Sequence, residues 1–238
     1  MQTLAIRMAN ELNLLLLHPV SAIEQTHDAV TVHTAKFQFR AKKAIVAIPP
    51  TLALQIKFAP EISAQKTNLW SNMNTGRAIK CCAIYQRPFW RDSGWSGQVV
   101  AGQRYPLQTI FDNSPPDSSK GILMGIAIAN RAIKLKSLSK AGRRKRIIDT
   151  FVHFFGTEAR HPLAFLDKIW TDDPNSLGSY TCYRMPGAWT TYRDALSTPT
   201  GNIHWAGTET SPEWNGYMEG AVLSGIRAAN EILSSSLS

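Results

Sequence analysis

The chain is poor in cysteine: its 238 residues include only Cys81, Cys82 and Cys182. An odd number that contains an adjacent pair argues against a disulfide framework and fits a reducing compartment, so a cytoplasmic location is expected. No Cys/His group has zinc-ligand spacing and the six histidines are scattered, so no metal site is expected. Long apolar runs are missing too. The run Leu14 to Leu17 is far too short for a bilayer, Arg7, Asn10 and Glu11 interrupt the residues before it, and no small-residue cleavage site comes after it. No membrane anchor is therefore expected. There is no Walker-type Gly-Lys-Ser loop, no G-x-G-x-x-G after a strand, and no legible Ser-His-Asp or Cys-His spacing. Acidic residues are in deficit, 17 against 26 Lys and Arg, and the resulting formal charge of +9 suggests an affinity for anions. Nucleic acid, a membrane surface or a phosphate-bearing cofactor would each qualify.

A hydrophobic fraction of 44% with 18% charged residues is that of a soluble globular protein. The N-terminal stretch reads as an amphipathic helix leading into a strand. "AVTVHTAKFQFRAKKAIVAIPP" alternates like a hairpin and then runs from Ala44 to Ile48, a strand expected to be buried on both faces and parallel, stopped by Pro49 and Pro50. Strands are expected at Ala78 to Trp90, within "RYPLQTIF", at Ile122 to Ala129, in "AFLDKIWTDD" and in "GNIHWAG". "KAGRRKRIIDTFVHFFG" reads as a helix with Ile147, Ile148, Phe151 and Phe154 toward the core. A last helix, about Tyr217 to Leu233, is expected to bury Ala221, Val222, Gly225, Ala228, Ala229 and Ile232. Mixed strands flanked by pieces of a buried parallel sheet indicate an α/β (α+β) chain, a discontinuous domain with a mixed-sheet domain inserted. The boundaries fall at 1–69, 70–172 and 173–238.

The basic run "AGRRKR" has no interleaved aromatics for base stacking and reads as the solvated face of its helix, so no nucleic-acid partner is expected. His153 reads as packed or capping rather than catalytic.

The C-terminal stretch "HWAGTETSPEWNGYMEGAVLSGIRAANEIL" carries more information. A buried strand, a Gly-Thr turn and a helix bring backbone N–H groups and a positive dipole end to one spot, which suits an anion or an electron-rich carbonyl. Gly216 and Gly220 would let a planar ring lie against the backbone, with Tyr217 projecting sideways at the helix start. A flavin fits this description. A tight glycine-rich junction inside a core would account for the glycines equally well, and the residues alone leave both readings open.

"WAGTETSPEWNGYMEGAVLSGIRAANEIL" resembles the C-terminal flavin motif of the flavin-containing amine oxidases, particularly the monoamine oxidases. The resemblance extends through "HPVSAI", "AIVAIPPTLALQIKF", "GRAIKCCAIYQRPFW" and "IWTDDPNSLGSYTCYRMPG", in order and with compatible spacing. It implies FAD as cofactor and oxidative deamination of a small-molecule primary or secondary amine by dioxygen. Tyr180 and Tyr217 would be the facing pair of an aromatic cage around the amine, a relative of the cation–π effect worth roughly 0.5–2 kcal/mol. Lys80 would hold a water next to the flavin. Val20 would approach the adenosine part, and Trp170 would pack beside the isoalloxazine. Thr208 and the Met218 backbone would contact the flavin or its ribityl chain. With Ser179, Gly207, Glu209 and Gly216, these complete the implied cofactor-binding set. The segments 1–69 and 173–238 would belong to the FAD-binding domain and 70–172 to the substrate domain.

Two departures qualify the resemblance. Family members with covalent flavin carry cysteine immediately before the first cage tyrosine, where this chain has Ser179. Cys182 lies out of register, so noncovalent FAD is expected. The family's G-x-G-x-x-G lies in an N-terminal part that this sequence does not contain, and "MQTLA" resembles the stretch just after a Gly-Gly pair in full-length members. A truncated gene, a misassigned start, and one subunit of a split enzyme with a separate N-terminal FAD-binding half all fit. Other possibilities are an inactive fragment, which could bind a partner, and an amino-acid or polyamine oxidase. For an amino-acid oxidase Arg184 is the nearby candidate to grip a carboxylate, but the paired tyrosines favour simple amines.

Overall fold

A computed structural model describes residues 2–183, 186–192 and 194–235. In chain order the first elements are α1 (Gln2–Ala9), β1 (Val20–Gln25), β2 (Val30–Thr34), β3 (Gln38–Ala41), β4 (Ala44–Val46), α2 (Pro50–Ala53), β5 (Lys57–Ala59) and α3 (Ala64–Ser71). Next come β6 (Asn74–Thr75), β7 (Ala78–Tyr85), β8 (Val99–Val100), β9 (Thr109–Asp112), β10 (Gly121–Ile128), α4 (Asn130–Lys136), α5 (Lys140–Phe155), β11 (Ala164–Ile169) and β12 (Cys182–Tyr183). The chain ends with α6 (Ala188–Thr191), β13 (Ile203–Trp205) and α7 (Met218–Ser235). These elements form two compact units, one made of the chain up to Met73 together with residues from 186 onward, the other of Asn74–Tyr183.

The first unit is mixed. Its four-stranded sheet has the order β3-β2-β1-β5, antiparallel except for the parallel β1–β5 edge, and β4 pairs in parallel with β13. The parallel character expected of the Ala44 run is therefore present, but as a three-residue pairing. Burial on both faces is not: Ile45 is 42% exposed, and among the described residues β13 is the one strand paired with β4. Asn202 ties the layers together. Its side-chain amide donates to the carbonyls of Thr26 and His27 at 2.9 Å, and its own carbonyl accepts the Ala44 N–H at 3.0 Å. Trp70 of α3 packs edge-on against Trp205 of β13, with centroids 5.0 Å apart, and Phe58 of β5 closes the cluster.

Helix α7 departs from the expected pattern. Of the six residues assigned to its buried face only Ala228 is buried, along with Gly220 and Ser224. Val222 is 46% exposed, and Met218, Ile226 and Leu233 are exposed with it. The contact with β13 is narrow and largely polar: Glu231 accepts from His204 Nδ1 at 3.0 Å and from Arg227, and Arg227 also donates to the Trp205 carbonyl at 2.7 Å. Burial would push the Glu231 carboxyl up, but the His204 and Arg227 bonds hold it below the ordinary carboxylate range.

The second unit is a five-stranded sheet, order β11-β7-β10-β9-β8, antiparallel throughout rather than mixed. Along β10 burial alternates residue by residue, so Leu123, Gly125 and Ala127 face the core while Ile122, Met124 and Ile126 line the other side. Helix α5 covers the core face with Ile147, Ile148 and Phe151, and Phe155, not Phe154, joins them there; Phe154 packs at the margin. The strand expected to reach Trp90 ends at Tyr85. A 3-10 turn, Phe89–Ser93, drives Trp90 into the core, where its indole donates to Asp112 at 2.9 Å. Among the described residues Cys81 and Cys82 are free thiols.

Candidate functional site

Lys80 sits on β7 with an exposed side chain, on the half-open face of the second unit's sheet. Its lateral neighbours are Ile126 on β10 and Lys168 on β11. Lys168 is neutralised by Asp173, whose carboxyl that ammonium and the Asn175 amide hold below its usual range, and it lies 5.4 Å from the Trp170 ring centre. Lys80 has no carboxylate partner among the described residues, so its ammonium is available on that face. Trp170 itself is half-buried at the end of β11, in a short 3-10 turn.

At the same end of the sheet, β6 pairs with β12 and forms a clamp for Tyr180. Ser179 N–H donates to the Gly76 carbonyl at 2.8 Å, Gly76 N–H to the Thr181 carbonyl at 3.2 Å, and Thr75 Oγ1 to the Leu177 carbonyl at 2.6 Å. The approach is too close for any side chain at Gly76, where a Cβ would stand 1.9 Å from the Ser179 carbonyl oxygen. Thus Ser179 is half-buried and held by its backbone, while Tyr180 projects, 60% exposed, into a recess of about 460 Å³ lined in part by Arg77, Ile133, Thr171 and Leu177. Partial burial pushes the Tyr180 phenol up. The Thr181 hydroxyl beside it is buried without a partner. Sequence alone does not single out Thr75, Gly76 and Thr181; the small-residue pair ahead of β7 is the available signal. Cys182 is buried in this clamp.

In the first unit, β13 leads into the turn that bears the remaining candidates. Gly207 adopts φ +106°, a conformation closed to most side chains, and donates its N–H to Ser224 Oγ at 2.9 Å. Thr208 organises the rest of the turn: its hydroxyl accepts the Gly216 N–H at 2.7 Å and donates to the Tyr217 carbonyl at 3.0 Å. Glu209 is buried, with 7% exposure. Gly216 has φ +85°. Tyr217 is 65% exposed, edge-on to the 60% exposed Trp214 at 5.9 Å, and Met218 opens α7 directly beside it. The first N–H groups of such a helix lack intrahelical acceptors and carry its positive end. The glycines, however, do not all serve a ring. A Cβ on Gly220 would meet the Trp214 carbonyl oxygen at 2.2 Å, so that position is reserved for close backbone packing. Val20 begins β1, 36% exposed, at a register shift opposite Thr34.

Lys80, Trp170, Ser179 and Tyr180 thus share one unit, and Val20, Gly207, Thr208, Glu209, Gly216, Tyr217 and Met218 share the other. Arg184 lies outside the described residues. In the second unit Tyr180 is exposed beside the orphan Thr181 hydroxyl, and in the first unit Tyr217 is exposed beside the start of α7. The sequence has no glycine-rich phosphate loop.

The architecture that carries these residues is mixed α/β. The chain belongs to the flavin-containing amine oxidoreductase family, whose sequence profile matches residues 1–233. It is 39% identical to flavin-containing amine oxidase B of Sus scrofa over 218 residues, spanning 90% of this chain and 42% of that protein. The flavin-containing amine oxidase of Oncorhynchus mykiss is 40% identical over the same shares. Among solved structures, a putrescine oxidase triple mutant superposes with a TM-score of 0.93 at 28% identity, and cyclohexylamine oxidase from Brevibacterium oxydans with 0.92 at 29%. Each superposition covers 99% of this chain and 53% of the other. The chain therefore spans less than half the length of these relatives and about half of these structures. No helix among the described residues is long and apolar enough to cross a membrane.

Proposed function

We propose that this chain forms the flavin-ring and amine-facing part of an FAD-dependent amine oxidase. The overall reaction converts a primary or secondary amine, dioxygen and water to an aldehyde, ammonia or the smaller amine, and hydrogen peroxide. FAD, when bound, accepts the two electrons and passes them to dioxygen. The chain's own residues orient the substrate and exclude water. Tyr180 and Tyr217 would present electron-rich faces to the nitrogen, Lys80 would hold a water on the sheet face, and Trp170 would pack beside the ring. Gly207, Thr208, Glu209, Gly216 and the Met218 amide would border the ring end, with Val20 toward the adenosine. Ser179 in place of cysteine supports noncovalent attachment. The carrying observation is that two family-motif tyrosines are both rigidly mounted and more than half exposed. Segments 1–69 and 173–238 would be the FAD-binding part and 70–172 the substrate part.

The exposed apolar stripe of Met218, Val222, Ile226 and Leu233 supports activity together with an N-terminal FAD-binding half as partner. The same exposed stripe fits a second reading, an inactive fragment that binds a partner. An amino-acid or polyamine oxidase has less in its favour. Expression alone and with an N-terminal half from a relative, with flavin absorbance and peroxide release from an amine panel, separates these readings. In the reconstituted protein Tyr217→Ala should abolish most turnover while flavin stays bound. Undiminished turnover would remove the cage from the mechanism, and a colourless, inactive mixture would favour the second reading.

A further inference from the structure

The second unit contains a cleft of about 480 Å³ that adjoins the Tyr180 recess through Ile128, Ala129 and Asn130 but has cations of its own. Arg104, Arg131, Lys134 and Arg146 line it, together with the amides of Gln103 and Gln108, and no acidic residue does. Several cations elsewhere in the same unit are matched by carboxylates, Arg91 with Asp112, Lys136 with Asp172, Arg143 with Asp167, Lys145 with Asp149 and Lys168 with Asp173, whereas Lys80 and Lys120 stand singly without one among the described residues. None of the four cleft cations has such a partner among the described residues. Two of them are held in place by neutral groups. Arg131 donates to the carbonyls of Leu107 at 2.9 Å and Ala101 at 3.4 Å. Arg104 stacks over Tyr105 at 4.8 Å, and the Tyr105 hydroxyl is fixed by His153 Nε2 at 2.6 Å. The run "AGRRKR" is thereby divided: Arg143 and Lys145 have structural ion pairs, while Arg146 faces the cleft.

Four like charges around one hollow repel each other, and a multivalent anion between them turns that cost into attraction. Three guanidinium forks match the oxygen geometry of phosphate better than a point charge does. We propose that this cleft binds an anion carrying at least two phosphate groups, free or as a lipid headgroup, independently of the flavin chemistry.

Inorganic tripolyphosphate is the probe, titrated calorimetrically into the whole chain at low and moderate salt. Binding should weaken as salt rises, and Lys134→Gln combined with Arg146→Gln, both exposed side chains, should weaken it at least about tenfold. Lys145→Gln and Lys120→Gln, which remove charge outside the cleft, should leave it within about twofold. Circular dichroism of each variant checks the fold. Co-sedimentation with phosphatidylcholine vesicles bearing phosphatidylinositol bisphosphate decides the source: pelleting that the double variant abolishes identifies a headgroup, and its absence identifies a soluble anion. No wild-type binding of tripolyphosphate, or equal losses in cleft and control variants, would overturn the proposal.

Discussion

The ammonium of Lys66 lies 4.5 Å from the centre of the Trp205 ring, buried beneath α3 and donating to the Thr198 carbonyl at 2.7 Å. Burial, helped by the Arg227 charge and opposed by Glu231, lowers its pKa to about 7. In the unfolded chain the same amine titrates near 10.4. Between these values the unfolded state binds the extra proton, so stability rises with pH, by up to about 1.4 kcal/mol per unit from this group. Urea midpoints of the wild type should therefore increase from pH 7 to about 8, short of the ordinary cysteine value near 8.5. Lys66→Met should flatten that rise. An unchanged slope in the variant would mean that Lys66 stays charged in the fold.

Two glycines of α7 should respond in opposite directions to the same substitution. At Gly225 a Cβ meets nothing within 4 Å, so Gly225→Ala should stabilise by about 0.5–1 kcal/mol through helix propensity. At Gly220 the added carbon would collide with the Trp214 backbone, and Gly220→Ala should cost about 1–3 kcal/mol. Denaturant midpoints of the two variants check this. Equal shifts would show that the 214–217 turn does not rest on the helix.

Arg143 and Asp167 form an ion pair with both side chains 9% exposed, joining α5 to β11. The guanidinium also donates to the Leu138 carbonyl at 3.3 Å. Asp167→Ala leaves a buried cation and should cost about 3–5 kcal/mol, whereas Arg143→Met with Asp167→Leu should come near neutral, because the desolvation cost disappears along with the attraction. Chemical denaturation of the single and double variants tests the asymmetry.

Structure is legible in sequence where side chains answer to local periodicity. Strands β7 and β10 alternate cleanly, and Ile147, Ile148 and Phe151 keep helical spacing, so strand and helix are both readable and only their ends differ. Trp90 falls outside its expected strand because a strand pattern does not announce where a 3-10 turn begins. The face of α7 differs for another reason. Val222 and Ile226 are apolar, but nothing in the described chain covers them, and helix periodicity says which residues share a face without saying what that face meets. For the site, motif residues stand out through family resemblance. Their supports do not: the Gly76–Ser179 contact joins positions about a hundred residues apart, and no local pattern encodes it.

Thr208 provides the sharpest test of the terminal turn. Its hydroxyl is at once the acceptor for the Gly216 amide and the donor to the Tyr217 carbonyl, so one side chain sets where the exposed phenol stands. Thr208→Val keeps the shape but removes both bonds, whereas Thr208→Ser keeps them. The valine variant should lose about 1–3 kcal/mol of stability. In protein reconstituted with an N-terminal half, it should also lower kcat for amines at least about tenfold, with flavin absorbance retained and the serine variant close to wild type. A valine variant that is less stable yet turns over normally would confine Thr208 to folding. Loss of flavin from the valine variant alone would place the hydroxyl in direct contact with the cofactor.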